Sequence, residues 1–499
     1  MSKRWIPCRD GQRRRRGALI VAPLLATSLA GCGRVRPQED FARTRELISA
    51  TTGLTEIYDP AAPLMTEDER DALLEDGLTL AEALRVTLLN NRRLHAEFMS
   101  IGVAKADWVQ AGLLSNPTLA LSVQFPEGGG RSNLQASIAQ NIVDLWQIPK
   151  RKQLARADLN ETVLRIAHLA TTLAADTRAA YVRAAAAQAS LALARENLEA
   201  TGKSHAAVQA QREAGTASPL DENLARGPLL SAQIELRNAR LALVNAKRSL
   251  ASLMSLGVVL DDVELADPLP DRPVDVPDPQ TLIDRARKNR LDLRALQRAI
   301  ESRQARLGLE RRSVIPEISL GPAFERLERR ALPGRTVGAD AARASLANLA
   351  PTAPDIQSAT ERDAARREEI DTIFGAALGM TLPVFDQNRA QITKARYLYR
   401  QQCKLYEALY LQVAQEVLMA ADRALNALAN TNDYRNELVP QARKNLEFAT
   451  ASYEAGHTSI LTLLEAQRAL LEARKQQIAA QREAAVALSD LDQATGGRD

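Results

Sequence analysis

REAGTASPLDENLARGPLL (residues 212–230) and YEAGHTSILTLLEAQRALL (residues 453–471) are two copies of one pattern. A shift of about 241 residues lays Gly215 on Gly456, Ser218 on Ser459 and Leu220 on Leu461, the mark of an internal duplication. In both copies a long Ala/Leu/Arg/Glu-rich segment with helical periodicity precedes the glycine, and another follows it. Glycine adopts the left-handed conformation that stops a helix. Thr216/Ser218 and Thr458/Ser459 offer N-cap oxygens to the next helix. Each copy is therefore expected to be a tight helical hairpin. Two equivalent tips pointing the same way would form one end of a long object.

Working outward from the tips, a helical pattern runs from about Ile148 to Glu213, about 66 residues or about 100 Å at 1.5 Å per residue. A globular core has no use for that length, whereas a coiled coil or helical tunnel does. Small residues in AAYVRAAAAQASLALA (179–194) let neighbouring helices approach closely. After the first tip a shorter helix is expected from about Leu220 to Leu256, interrupted and kinked at Gly227-Pro228. A second long helix spans about Gln387 to Glu454 with a kink at Pro440, and a last one reaches about Thr495.

Before each long helix the period of the pattern changes. A helix starts at Leu78, with Thr79 and Glu82 spaced as a capping box, and stops before Asn116-Pro117. A helix from about Pro279 to Ser313 stops at Ile315-Pro316, about 199 residues later. Strand-like alternation follows each stop. Leu119, Leu121, Val123 and Phe125 alternate with Thr118, Ala120, Ser122 and Gln124; after the turn PEGGGRSN, Leu134, Ala136, Ile138 and Ile142 alternate with Gln135, Ser137 and Asn141. In the second repeat Ile318, Leu320 and Phe324 form one strand, and Phe374, Ala376, Leu378, Met380, Leu382 and Val384 another. Strands of about 9–10 residues match a tilted transmembrane β-strand, although a soluble hairpin has the same length. The helices before the strands and after the tips, about 34 and 37 residues, sum to one long helix; stacked end to end, they would partner it. The expected organisation is a signal peptide (1–31), a polar irregular leader (32–77), a first repeat (78–256), an Asp/Pro-rich linker (257–278) and a second repeat (279–499) carrying a mobile surface loop at 325–371.

Aromatic residues make up only 4% of the 499-residue chain, which fits long helices better than one large core. The formal charge of +4 comes largely from the extreme N-terminus, and bases elsewhere are interleaved with acids, so nucleic-acid binding is not indicated. Arg13 to Arg16, the apolar run Gly17 to Ala30 and the ending Leu29-Ala30-Gly31-Cys32 have the order of a signal peptide. That ending resembles a bacterial lipobox, which implies lipid attachment at Cys32; Gly33 after it implies sorting to the outer membrane. Cys8 leaves with the signal and Cys32 is blocked, so Cys403 remains alone as a buried small residue without a disulfide.

Four strands cannot close a barrel, since the smallest membrane barrels have about eight. An open sheet in lipid leaves unpaired backbone groups at several kcal/mol each. Transmembrane strands would therefore have to be pooled between copies, and three chains supply twelve.

The chain resembles the TolC-like outer-membrane factor family, and within it the lipoproteins serving resistance–nodulation–division pumps. The resemblance is carried by Cys32, LTLAEAL (78–84), NPTLALSV (116–123), LPVFDQNRAQITKA (382–395), Pro440 and YEAGHTSILTLLEAQ (453–467). It implies a mostly α-helical homotrimer, with a twelve-strand β-barrel in the outer membrane above a periplasmic α-barrel tunnel. It implies a passive exit duct for a tripartite efflux system, with a periplasmic adaptor and an inner-membrane transporter as partners. Adaptor contact is expected at Ala214, Gly215 and Thr216 and at Ala455, Gly456 and His457. The family's periplasmic gate uses a tyrosine before the second tip, an arginine after its glycine, and acidic rings. Tyr453 matches the tyrosine; Thr458 stands at the arginine position and Thr462 at one acidic position; Glu465 keeps the other, and Asp221 is the first-repeat equivalent of Thr462.

No phosphate-cradling loop, zinc spacing or nucleophile elbow occurs, so no enzyme, cofactor or metal site is expected. His95, His168, His205 and His457 are scattered, and His457 reads as a solvated tip residue. Two other readings stay open: an exit duct for type I polypeptide secretion, and a lipid-anchored periplasmic coiled-coil scaffold without a pore.

Overall fold

The computed structural model describes residues 34–63, 65–66, 69, 77–125, 132–256, 260, 263–269, 275–328, 337–353, 360 and 370–497. The signal peptide, Cys32 and most of the PEGGGRSN turn lie outside these residues.

The leader is not irregular. Helix α1, Gln38–Thr52, ends on Gly53 at φ 75° and buries Phe41 and Ile48. Helix α2, Leu80–Asn90, opens with the expected Thr79–Glu82 capping box. It does not run on towards Asn116. It stops at Asn91, whose extended backbone begins α3, Arg92–Gln110, and whose Oδ1 accepts the Leu94 N–H at 3.0 Å. Strands β1, Thr118–Gln124, and β2, Asn133–Asn141, follow. The first long helix, α4, Val143–Glu213, has 71 residues, about 105 Å. It starts earlier than expected because Asn141 Oδ1 accepts the Val143 N–H at 2.9 Å, and it runs through Pro149. Helix α5, Pro219–Leu253, is continuous through Pro228 rather than interrupted there.

The second repeat has the same plan. Helices α6, Pro279–Asn289, and α7, Leu291–Arg312, are separated at Arg290, which a shift of about 199 residues aligns with Asn91. Strands β3, Ile318–Glu328, and β4, Ile370–Met380, extend into the expected 325–371 loop, and helix α8, Val337–Asn348, lies within it. Leu382 and Val384, expected in the last strand, fall beyond its end. The second rod is α9, Arg389–Asp433, a π turn at Tyr434–Leu438, and α10, Val439–Glu454. Pro440 has no N–H to give, and the wider π spacing just before it relieves the clash of its ring with the preceding turn. Helix α11, Ile460–Thr495, closes the chain.

The breaks at Asn91 and Arg290 explain how short helices make a long partner. The C-terminal end of α5 meets the first break: Asn91 Nδ2 donates to Leu253 O at 2.7 Å and Asn90 Nδ2 to Met254 O at 3.1 Å. The end of α11 meets the second: Gly496 sits against Asn289 and Arg290, and Arg285 Nη2 donates to Gly497 O at 2.5 Å. The end-to-end stacking inferred from helix lengths is therefore present, sealed by side chains at each joint.

Three buried clusters hold the upper body. One joins α1, α3 and α4 around Phe41, Phe98, Ile101 and Ile166. A second joins α2, α4 and α5 around Val86, Ala184 and Leu250. A third joins α6, α9 and α11 around Leu282, Val417 and Ala487. The second cluster includes Leu260 and Leu265, so the described part of the 257–278 stretch is packed rather than loose. It pairs with Leu78, which donates to Glu264 O at 2.8 Å and accepts from Ala266 N–H at 3.0 Å. Tyr181 donates its hydroxyl to Leu78 O at 2.7 Å, and burial pushes its pKa up to about 12. Cys403 is free but only half-buried.

Where Asn91 caps its joint with an amide, Arg290 uses charge. Its guanidinium bonds to Asp292 at 2.6 Å and to Glu416 on α9. Burial alone would raise the Asp292 pKa, but bonds and charge from Arg290 outweigh it and hold the carboxyl below the ordinary 3.8. Its contribution is thus present at neutral pH and is lost as pH falls through the depressed native value. Replacing Arg290 by Met leaves two carboxylates facing each other in a partly closed joint. The variant is expected to lose about 3 kcal/mol, read as a lowered thermal midpoint of detergent-solubilised protein at pH 7, with a smaller deficit near pH 3.

Candidate functional site: an open-edged sheet and paired tips

The four strands form one antiparallel sheet in the order β1-β2-β3-β4. Leu119 lies opposite Ile138 and Leu121 opposite Ala136; Ala136 lies opposite Phe324, and Phe324 opposite Phe374. Leu320 faces Leu378, and Ile318 faces Met380. Directly opposed residues share a face of a sheet, so the apolar positions of all four strands make one continuous surface. It is bare in a single chain: Leu119, Leu378 and Phe374 are 69%, 70% and 78% exposed. The other face pairs Ser122 with Gln135, Ser137 with Ala323 and Ser319 with Gly379. There Gln135 Nε2 donates to Glu325 Oε1 at 2.6 Å. No helix among the described residues is long and apolar enough to cross a membrane.

One structural position escaped the sequence reading. A Cβ built on Gly321 would lie 1.6 Å from Ile138 O, so only glycine fits between β3 and β2 there. The Gly-Pro pair inside a strand pattern was the available signal, because either residue marks a bulge or a close backbone approach.

At the opposite end of the rods the two reversals form as expected. Gly215 and Gly456 have φ of 77° and 72°. Thr216 N–H donates to Gln211 O and His457 N–H to Ser452 O, both at 2.9 Å, closing matching turns. Val208 and Ala225 from the first hairpin pack with Ile460 and Leu463 from the second, so the tips lie together. Ala214, Gly215, Thr216, Ala455, Gly456 and His457 are all exposed.

The capping differs between the two. Ser218 caps α5 in a box with Asp221, whose Oδ2 accepts from Ser218 N–H at 2.9 Å and Ser218 Oγ at 2.8 Å. Those bonds hold the Asp221 carboxyl below its ordinary range. Thr216 does not cap; its hydroxyl donates back to Gln211 O at 2.9 Å. At the second tip Ser459 sits at the N-cap without a side-chain bond, and Thr458 Oγ1 is buried without a partner, contrary to the expectation that these oxygens cap α11.

The three gate candidates are not brought into one cluster. Tyr453 Oη donates to Gln211 Oε1 at 2.8 Å, tying the second tip to the first. Asp221 is committed to its own helix, and Glu465 is exposed on α11. Gln211 and the Arg212–Glu222 ion pair are the tip contacts that pattern reading missed. No group of three or more His, Cys, Asp or Glu residues that could hold a metal occurs among the described residues.

A family model described as outer membrane efflux protein matches residues 83–256 and 282–497, one segment per repeat. The chain belongs to the outer membrane efflux protein family. As a member it is an outer-membrane efflux channel protein, with its helical rods in the periplasm. Among its relatives, the cobalt-zinc-cadmium resistance protein CzcC of Cupriavidus metallidurans is 25% identical over 406 residues, covering 80% of this chain and 85% of that protein. Outer membrane protein OprJ of Pseudomonas aeruginosa is 26% identical over 464 residues, covering 87% and 85%. The fold is shared with the Campylobacter jejuni CmeC outer membrane channel at TM-score 0.65 and 14% identity, covering 88% of this chain and 89% of that one. The family and its solved neighbours are channels rather than enzymes.

The unequal capping makes a direct prediction. Ser218→Ala is expected to destabilise the first turn of α5 by about 1 kcal/mol, seen as faster amide exchange over residues 221–224. Ser459→Ala should leave exchange at the start of α11 unchanged, because no side-chain bond is lost there.

Proposed function

We propose that three copies of this chain pool their sheets into a twelve-strand barrel and their rods into a periplasmic tunnel. The tunnel is the passive exit of a tripartite pump, docked through the tips to a periplasmic adaptor and fed by an inner-membrane transporter of the resistance–nodulation–division type. The observation that carries this is the sheet: one face mostly apolar, the other mostly small and polar, with both outer strands unpaired in a single chain. Lipid on one side, water on the other and a neighbour at each edge satisfy all three features. Further apolar residues await partners on the rods. On α5, Leu220, Ile234 and Leu241 are exposed at spacings of 14 and 7 residues, multiples of a heptad compatible with one stripe, and on α9 Leu411 and Leu425 are exposed.

Ala214, Gly215, Thr216, Ala455, Gly456 and His457 are the adaptor-facing surface in this reading, being exposed, mostly small and held at fixed turns. Tyr453, Asp221 and Glu465 belong to the gate. Tyr453 is its latch, because its bond to Gln211 joins the tips of the two repeats. Cys32 is the lipidated residue, and lipid with the barrel fixes the protein in the outer membrane.

Two measurements test the reading. Purified protein in a planar bilayer should give stepwise conductance and run as a trimer by mass photometry; monomers without conductance would sink it, and Tyr453→Phe should increase the open fraction. Cells fed radiolabelled palmitate should label the wild type and not Cys32→Ser; equal labelling would remove Cys32 from the proposal.

A further inference from the structure

We propose that the outer face of the helical wall just below the sheet is a docking surface for the headgroups of anionic phospholipids in the membrane leaflet facing the periplasm. The proposal rests on the outer-membrane placement of the sheet. It adds a lipid partner and the residues that select it.

At the start of α4 the exposed residues are Leu145, Trp146, Pro149, Lys152, Gln153 and Arg156. At 100° per residue they occupy a single arc of the helix, while Asp144 and Ala155 on the opposite side are buried. The arc faces outward. Asn160 continues it one turn below Arg156 and accepts from Arg43 on α1 at 2.8 Å, and Asp40 on α1 pairs with Lys105 on α3 at 2.8 Å. Helix α1 lies on this side, and its leading residues come from the N-terminal end of the chain, which reaches a closed tube from outside.

The arc is graded as a membrane boundary is graded. Leu145 and Trp146, nearest the sheet, are 66% and 56% exposed. An exposed tryptophan beside an exposed leucine suits the lipid interface rather than bulk water. Arg312 from α7 stacks on the Trp146 ring at 4.9 Å and donates to Trp146 O at 2.8 Å. Lys152 lies about 9 Å further down, its Nζ 5.0 Å from the Trp108 ring. Long basic side chains at that depth reach back towards the headgroups. Arg34 and Arg36, exposed ahead of α1, add two cations on the same side.

Charge balance selects the sign of the partner. Asp40, Asp144 and Asp158 are occupied by Lys105, Arg151 and Ser302. Lys152, Arg156 and Arg312 make no ion pair among the described residues. The exposed acids nearby are Asp107 on the neighbouring stretch of α3 and Glu39 at the start of α1, against the five cations Lys152, Arg156, Arg312, Arg34 and Arg36. Beyond residue 31 the chain as a whole holds slightly more acids than bases, so this basic collar stands against the average. Aromatic rings carrying cations, set between an apolar sheet and an aqueous tunnel wall, fit phosphate groups fixed at a lipid surface.

The test uses the full chain reconstituted in phosphatidylethanolamine vesicles containing acyl-brominated phosphatidylglycerol or, in parallel, acyl-brominated phosphatidylethanolamine. Quenching of the emission of Trp108 and Trp146 together reports which lipid contacts this collar. The expected result is a preference of about fivefold or more for phosphatidylglycerol, given the usual attraction per basic residue at an anionic surface, shrinking as salt rises. The triple variant Lys152→Gln, Arg156→Gln, Arg312→Gln should lose the preference. Equal quenching by both lipids in the wild type, a preference kept by the triple variant, or displacement by inorganic phosphate at about 10 mM, pointing to a free-anion site, would each overturn the proposal. If the triple variant does not assemble, Arg34→Gln with Arg36→Gln in the exposed leader makes the comparison instead: a reduced preference supports the surface and an unchanged one overturns it. Conductance of the same vesicles reports separately on the channel, so failure of the duct and failure of the lipid surface are distinguishable.

Discussion

Backbone hydrogen bonding at two strand edges governs this molecule. In one chain β1 and β4 each turn a row of amide and carbonyl groups to an empty side. Water would satisfy those groups but not the apolar face made by Leu119, Leu378 and Phe374. Lipid would satisfy that face but not the edges. Neither solvent accepts the sheet alone, so the fold is complete only in an assembly whose strands close on themselves.

The helical part is arranged to deliver those strands at a fixed place. Each long rod needs a partner of equal length, and the chain builds it from pieces. The joints at Asn91 and Arg290 are therefore structural keystones, although neither lies near the sheet or the tips. At one an amide hydrogen bond to Leu253 O holds the arriving helix end; at the other Arg285 holds Gly497 O, and Arg290 ties the break to Asp292 and Glu416. Duplication preserved the geometry of the joint while changing its chemistry.

Much of this was legible because period is a robust signal. The switch from helical to alternating pattern located all four strands, and the repeated glycine located both tips. What stayed hidden depended on partners far along the chain. The break at Asn91 lies inside a continuous apolar pattern, and only the arriving end of α5 makes it necessary. The packed state of Leu260 and Leu265 was masked by the Asp and Pro around them, and α1 by a polar composition that hides Phe41 and Ile48. At the tips, residue type overstated the capping: Ser218 and Ser459 align, yet only the first has an acid three residues on to complete a box.

The π turn at Tyr434–Leu438 has a consequence for symmetry. The first rod descends as a single α-helix, whereas the second carries one widened turn about two-thirds of the way to its tip. Such turns concentrate bending, so a sideways load on the two rods is absorbed mainly by one of them. A bundle built from these repeats resembles a sixfold object in outline but is threefold in compliance, with stiff and yielding staves alternating around the ring.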